Sequence, residues 1–282
     1  MEQLAEIVQR LGVSSGSTFD EEAYCRMKCD ALNAEPGGLN ARDGYDCPRC
    51  KNRGYIAEPR QDERGIWREW VRQCRCQKTR AAMRRLERSG LKDIVREYTF
   101  ARYEAADDWQ KAIKTAAERF VADDAHTCWF IGGASGCGKT HICTAIAGWY
   151  LRHGREVRYM LWRDEVVRLK ASVTDAEEYD RIMEPLKRAE VLYIDDLFKT
   201  GRDEKTQSKR PTQADINIAF ELINARYNNR KLVTILSSEC VIEDILAIDE
   251  AIGGRIVERA MRQGYGFNVY PGEGKNYRLR GA

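Results

Sequence analysis

Residues 133–140 of this 282-residue chain read Gly-Ala-Ser-Gly-Cys-Gly-Lys-Thr. The stretch satisfies the spacing G-x-x-x-x-G-K-[ST], in which glycines let successive backbone N–H groups converge on phosphate oxygens. Its surroundings have the order such a loop requires. Cys128-Trp129-Phe130-Ile131 upstream reads as a buried strand, and Ile142, Ala145, Ile146, Trp149 and Tyr150 downstream fall at helical spacing. A helix starting at the loop adds the positive end of its dipole. The spacing assigns Gly133, Ala134, Ser135, Gly136, Cys137, Gly138, Lys139, Thr140 and the following His141 to phosphate binding. Lys139 would reach the β- and γ-phosphates, and the Thr140 hydroxyl would ligate magnesium.

Strands are expected at 127–131, 157–162, 190–194, 232–236 and 267–270, with helices between them, the pattern of a parallel sheet in an α/β domain. The third strand, Val191-Leu-Tyr-Ile-Asp195-Asp196, ends in two acids. Asp195 suits the magnesium shell, and Asp196 suits a general base acting on the attacking water. The plainer reading makes Asp196 the cap of the next helix. The fourth strand ends in Ser237-Ser238-Glu239. Arg255 and Arg259 lie at i, i+4 on one helix face, positioned either to reach a neighbouring subunit's nucleotide or to solvate a surface. Thr212 and Asp215 form a capping-box pair. The loop 199–210 carries five basic residues against two acids.

The N-terminal third is different. Residues 1–33 read as two helices, the first with Leu4, Ile7, Val8 and Leu11 on one face and Gly12 at its end, the second around Asp20–Leu32 with Cys25 and Cys29 at i, i+4. Cys47-Pro-Arg-Cys50 and Cys74-Arg-Cys76 are two close cysteine pairs, the arrangement a tetrahedral zinc ion needs. All three histidines lie elsewhere, so the centre is all-thiolate or recruits Cys25 or Cys29 for one ligand. One strand is expected between the pairs, at Gly65–Arg72. A basic helix follows over Cys76–Ser89, with seven basic side chains against Glu87 in residues 72–90. Residues 91–126 read as mostly helical. The division is a helical and zinc-binding module over 1–90 and an α/β domain over 91–282.

Composition bounds the reading. Lys and Arg number 47 against 44 Asp and Glu, a net charge of +3. Any nucleic-acid surface must therefore be local. No apolar run approaches the ~18 residues of a membrane span, and the N-terminus lacks the pattern of a secretory signal. The expected place is the cytoplasm, with no membrane partner.

Taken together, the chain resembles the replicative helicase loaders of the DnaC/DnaI type, in their phage and prophage versions. The resemblance is carried by Cys-Pro-Arg-Cys-Lys-Asn-Arg-Gly-Tyr at 47–55, Cys-Arg-Cys at 74–76, Tyr-Ile-Asp-Asp-Leu-Phe-Lys at 193–199, Asn-Ala-Arg-Tyr-Asn-Asn at 224–229, Ser-Ser-Glu at 237–239 and Asp-Glu-Ala-Ile-Gly-Gly-Arg at 249–255. It implies an AAA+ ATPase core without a large lid, an N-terminal module that grips the hexameric helicase, and a core that binds ATP and single-stranded DNA. By motif, Lys139 and Thr140 are Walker A, and Asp195 and Asp196 are Walker B. Ser238, with Glu239, holds the first-sensor position, where many relatives use Asn. Arg259 matches the arginine finger, with Arg255 beside it, and Arg278 resembles a second-sensor arginine. A finger acting in trans implies self-association through the ATP sites. Two other readings share these residues: a transposase-helper ATPase, which has no need of the cysteine pairs, and a zinc-containing DNA-binding module with weak ATPase activity. A small-molecule kinase lacks any acceptor-site signature here.

Overall fold

The computed structural model describes residues 20–88, 92–123, 125–199, 211–272 and 276, the side chains of 85–88, 92 and 93 excepted. The expectations for residues 1–19, Ser89-Gly90, the loop 200–210 and Arg278 lie outside the described residues. The chain divides into two compact units, Met1–Gln77 and Lys78–Ala282.

In the first unit, α1 (Glu21–Ala34) starts where Asp20 accepts a hydrogen bond from the Ala23 amide. A one-turn helix, α2 (Asn40–Asp43), precedes the first cysteine pair. Two antiparallel strands follow, β1 (Tyr55–Gln61) and β2 (Trp67–Gln73). The sequence bounds only the second, with Gly54 permitting a turn into a strand before it. Pro59 argues against a strand, but β1 pairs on one side only, where a proline is tolerated. Cys25 and Cys29 on α1 pack against Ala57 and Trp67, and Asn33 donates to and accepts from the Ala57 backbone at 2.8 and 2.9 Å.

The second unit begins two residues into α3 (Cys76–Arg88). Two helices, α4 (Lys92–Glu97) and α5 (Asp108–Ala122), lie in the region expected to be mostly helical. The intervening Tyr98–Asp107 is not helical, because a capping box between Asp107 and Gln110 starts α5 afresh.

The sheet strands are β3 (Cys128–Gly133), β4 (Val157–Leu161), β5 (Val191–Leu197), β6 (Val233–Ser238) and β7 (Gly266–Val269). All pair in parallel, in the order β4-β5-β6-β3-β7. The expected strands are therefore all present, and the sheet is an α/β one. Period-two alternation sorts each strand's side chains between two cores. Trp129, Ile131, Tyr193 and Ile235 face α5 and α6 (Lys139–Arg152). Cys128, Phe130, Leu192, Ile194 and Leu236 face α7 (Trp162–Ala171), α8 (Ala176–Arg188) and α9 (Gln213–Tyr227). As expected, Thr212 caps α9 with Asp215 in a capping box. Asp215 does more: it is 2% exposed and meets the Lys170 ammonium at 2.7 Å.

Arg226 on α9 is also buried. Its guanidinium donates to the carbonyls of Leu186, Lys187, Ala189 and Val233 and to the Thr234 hydroxyl. It thereby supplies donors to backbone carbonyls at the end of α8, where the helix offers none, and ties them to the start of β6. Two short helices, α10 (Ile242–Ile248) and α11 (Glu250–Ile256), and a π-helical turn over Val257–Met261 lead into β7. Among the described residues no helix is long and apolar enough to cross a membrane.

Candidate functional site

The sheet order places the carboxyl ends of β5, β6 and β3 side by side, where an open α/β sheet binds its ligand. A cavity of about 340 Å³ lies there. From the expected phosphate residues, Ser135, Gly136, Gly138, Lys139, Thr140 and His141 line it. Gly138 adopts φ +92° and starts α6, a conformation open to glycine but strained for other residues. Cys137 is buried behind the loop. The Lys139 ammonium lies within the loop, donating to the carbonyls of Gly133 and Ala134 at 2.8 and 2.7 Å.

The twin acids part company. Asp196 lines the cavity. It sits at φ +58°, where the register of β5 on β6 shifts between Ile194 and Leu197, and this turn brings its carboxylate round to the opening. No helix follows it directly: Phe198 forms a turn. Asp195 lies beneath, 5% exposed. It accepts from the Tyr159 hydroxyl at 3.2 Å and from the Ser237 hydroxyl. Burial raises its pKa above the ordinary carboxylate value. Among the described residues it has no ion-pair partner. A buried acid directly behind Asp196, which lines the cavity together with Thr140, fits a magnesium site.

In Ser237-Ser238-Glu239 the middle residue is the one that stays away. Ser237 accepts from the Asp196 amide at 3.0 Å while donating to Asp195. Glu239 lines the cavity. The Ser238 hydroxyl instead donates to the Leu197 carbonyl at 2.7 Å and accepts from the Cys240 amide.

The opposite wall was not foreseen. Tyr98, Arg102, Tyr103 and Glu104, from the non-helical stretch, line the cavity. His141 stacks on Tyr98 with ring centroids 4.5 Å apart, meets Tyr103 edge-on, and its Nε2 lies 3.0 Å from the Thr99 carbonyl. Burial lowers the His141 pKa and favours the neutral ring. Flat aromatic and imidazole surfaces facing a phosphate loop suit a nucleobase. The sequence signal was faint: two tyrosines and an arginine where helical periodicity lapses.

Arg255 and Arg259 do not reach this cavity. Arg255 donates to Asn224 Oδ1 at 2.8 and 3.0 Å, and Arg259 to the Tyr227 carbonyl at 2.6 Å. Both guanidinium groups lie over the Tyr227 ring.

In the first unit, the Sγ atoms of Cys47, Cys50, Cys74 and Cys76 all lie within 4.8 Å of one another. Cys47–Cys74 and Cys50–Cys76 are 3.8 and 3.5 Å apart. A tetrahedron with metal–sulfur bonds of about 2.3 Å has edges of about 3.8 Å, so the four thiols fit zinc. Cys25 and Cys29 are not members, and burial holds the Cys29 thiol up at about 11. Gly54, at φ +84°, lets its amide donate to Cys50 Sγ at 3.3 Å while its carbonyl accepts from the Cys74 amide. Burial opposes the Cys50 thiolate, but the Gly54 amide and the neighbouring thiols outweigh it and bring the pKa to about 7.

Fold and site together define a P-loop ATP-binding protein of the AAA+ type. The chain matches the family described as IstB-like ATP binding protein over residues 66–281, and it belongs to that family. It is 33% identical over 225 residues to phage-like element PBSX protein XkdC of Bacillus subtilis (strain 168), covering 76% of this chain and 79% of the relative. It is 23% identical over 183 residues to the replicative helicase loader DnaC of Buchnera aphidicola subsp. Schizaphis graminum (strain Sg), covering 64% of this chain and 69% of that one. The crystal structure of the DnaC helicase loader superposes with a TM-score of 0.50 at 18% identity, covering 62% of this chain and 96% of that one, a likeness of fold.

Proposed function

We propose that the protein hydrolyses ATP in the 340 Å³ cavity and uses the cycle to load a replicative hexameric helicase onto single-stranded DNA. One observation carries the ATPase reading: the cavity wall joins Lys139 and Thr140 to Asp196 and Glu239, with Ser237 bridging Asp195 and Asp196 behind it. Lys139 and the loop amides bind the phosphates. Asp196 orients the attacking water and takes its proton. Ser237 fixes both acids. Thr140 and Asp195 hold magnesium, which when bound neutralises charge on the phosphate oxygens. Tyr98 and His141 hold the base. Arg259, with Arg255 beside it, serves a neighbouring protomer's site, and Arg278 contributes as a second sensor.

The loading reading rests on the relatives and on the thiolate centre. In it, residues 1–90, with zinc on Cys47, Cys50, Cys74 and Cys76, grip the helicase, while 91–282 form the ATPase domain. The protein works in the cytoplasm. A second reading, an ATPase helper of a transposase, suits the family description equally well. Capture assays with the full chain separate the two. Retention of a hexameric helicase, with ATP turnover stimulated by single-stranded DNA, supports loading; retention of a transposase alone supports the helper. A Lys139→Ala protein that loads helicase as well as wild type overturns ATP control.

A further inference from the structure

We propose that Lys199 is the counter-ion that lets this cavity accept a nucleoside triphosphate in preference to a diphosphate. The inference rests on the ATP-binding reading above and goes beyond it, because Lys199 belongs to neither the phosphate loop nor the acidic pair. The end of β5 brings Asp196 to the cavity and the end of β6 brings Glu239. Both carboxylates face the space beyond the loop, where the terminal phosphate of a triphosphate must lie. Unneutralised, they would repel it.

The Lys199 ammonium bridges the two, 2.8 Å from Asp196 Oδ2 and 3.0 Å from Glu239 Oε1, and lines the same cavity. The backbone is bent to put it there. Asp196 and Phe198 both adopt left-handed conformations, φ +58° and +64°, and the Lys199 amide donates to the Asp196 carbonyl at 2.9 Å. Phe198 is anchored in the core edge-on to Trp162. Left-handed turns at two non-glycine residues are costly, and such strain clusters at functional sites. A diphosphate seated in the loop lacks the group that approaches the two acids. Its binding should not sense the lysine.

The test is binding of fluorescent ADP and of a non-hydrolysable fluorescent ATP analogue to the full chain, in the wild type, Lys199→Gln, Lys199→Arg and the double variant Lys199→Gln/Glu239→Gln. Loss of one charge–charge contact within a few ångströms predicts triphosphate binding about tenfold weaker in Lys199→Gln, with diphosphate binding changed less than about twofold. Lys199→Arg keeps the charge and the preference. Removing Glu239's charge as well restores most of the lost triphosphate affinity. Equal loss for both nucleotides, no loss for either, loss in Lys199→Arg as large as in Lys199→Gln, or no recovery in the double variant each overturns the proposal. A wild type that binds neither nucleotide overturns the ATP-binding reading itself, and this inference with it.

Discussion

Stripping the metal from the thiolate centre should unfold the first unit while the sheet domain stays folded. The first unit's described apolar core is small: Ile56 and Tyr45 around the four clustered cysteines, and Ala57 and Trp67 around Cys25 and Cys29. Tyr24, Met27, Leu32, Trp70 and Val71 are exposed. Burying a side chain such as Ile56 contributes about 1.5–3 kcal/mol, whereas ordering each residue costs about 1–2 kcal/mol. A few such side chains cannot hold a 14-residue helix and two seven-residue strands. A structural zinc ion contributes about 10–16 kcal/mol, enough to decide the balance. The assay combines thiol modification with a colorimetric zinc indicator, followed by hydrogen exchange read by mass spectrometry. One equivalent of metal should be released per chain. Amides of Tyr55–Gln73 should then exchange freely, while those of Cys128–Gly133 and Val191–Leu197 keep their protection. A hairpin that stays protected after complete metal release would refute the reasoning.

Other outcomes follow from the sheet domain. Ser237→Ala should lower ATP turnover at least about tenfold, because the hydroxyl holds the Asp195 carboxylate and the Asp196 amide, whereas Ser238→Ala should change it little; steady-state phosphate release with the order reversed would show that the middle serine does the work. Asp215→Asn should cost about 1–3 kcal/mol of stability by breaking the buried pair with Lys170. Burial works against the Asp215 carboxylate, but Lys170 and Thr212 hold its pKa below the ordinary aspartate value of 3.8. A depressed carboxylate stabilises above its unfolded pKa and loses that contribution as pH falls through its folded one. The deficit of the Asn variant, measured by denaturant melts, should therefore be full at neutral pH and shrink below pH 3.8. Arg259→Ala protein should be revived by mixing with Lys139→Ala protein, since each supplies what the other lacks; turnover that stays at the sum of the two alone would exclude a site completed in trans.

The sheet was readable because its strands are short apolar runs separated by helical stretches, and because a buried strand of either face looks apolar from sequence. The thiolate centre was readable because ligand spacing is a local property. What could not be read was set by long-range pairing. Whether Ser237 or Ser238 meets the acids depends on the register of β5 on β6, which slips just at Asp195 and Asp196. No local pattern records that slip. The nucleobase wall was missed because Tyr98–Glu104 forms neither helix nor strand, and α5 begins only at Asp108. Lys199 read as one charge among several in a polar loop, although it meets Asp196 and Glu239.

Arg226 has a mechanical consequence. It clamps α9 to the end of α8 and the start of β6 through five acceptors. Two residues before it, Asn224 holds Arg255, and one residue after it, Tyr227 holds Arg259. The two half-buried arginines, on α11 and the turn after it, thus rest against a helix riveted to the strand that carries Ser237 and Ser238. A small tilt of that strand would pull on α9 through the clamp, and through Asn224 and Tyr227 on the two arginines, as a lever moves about its fulcrum.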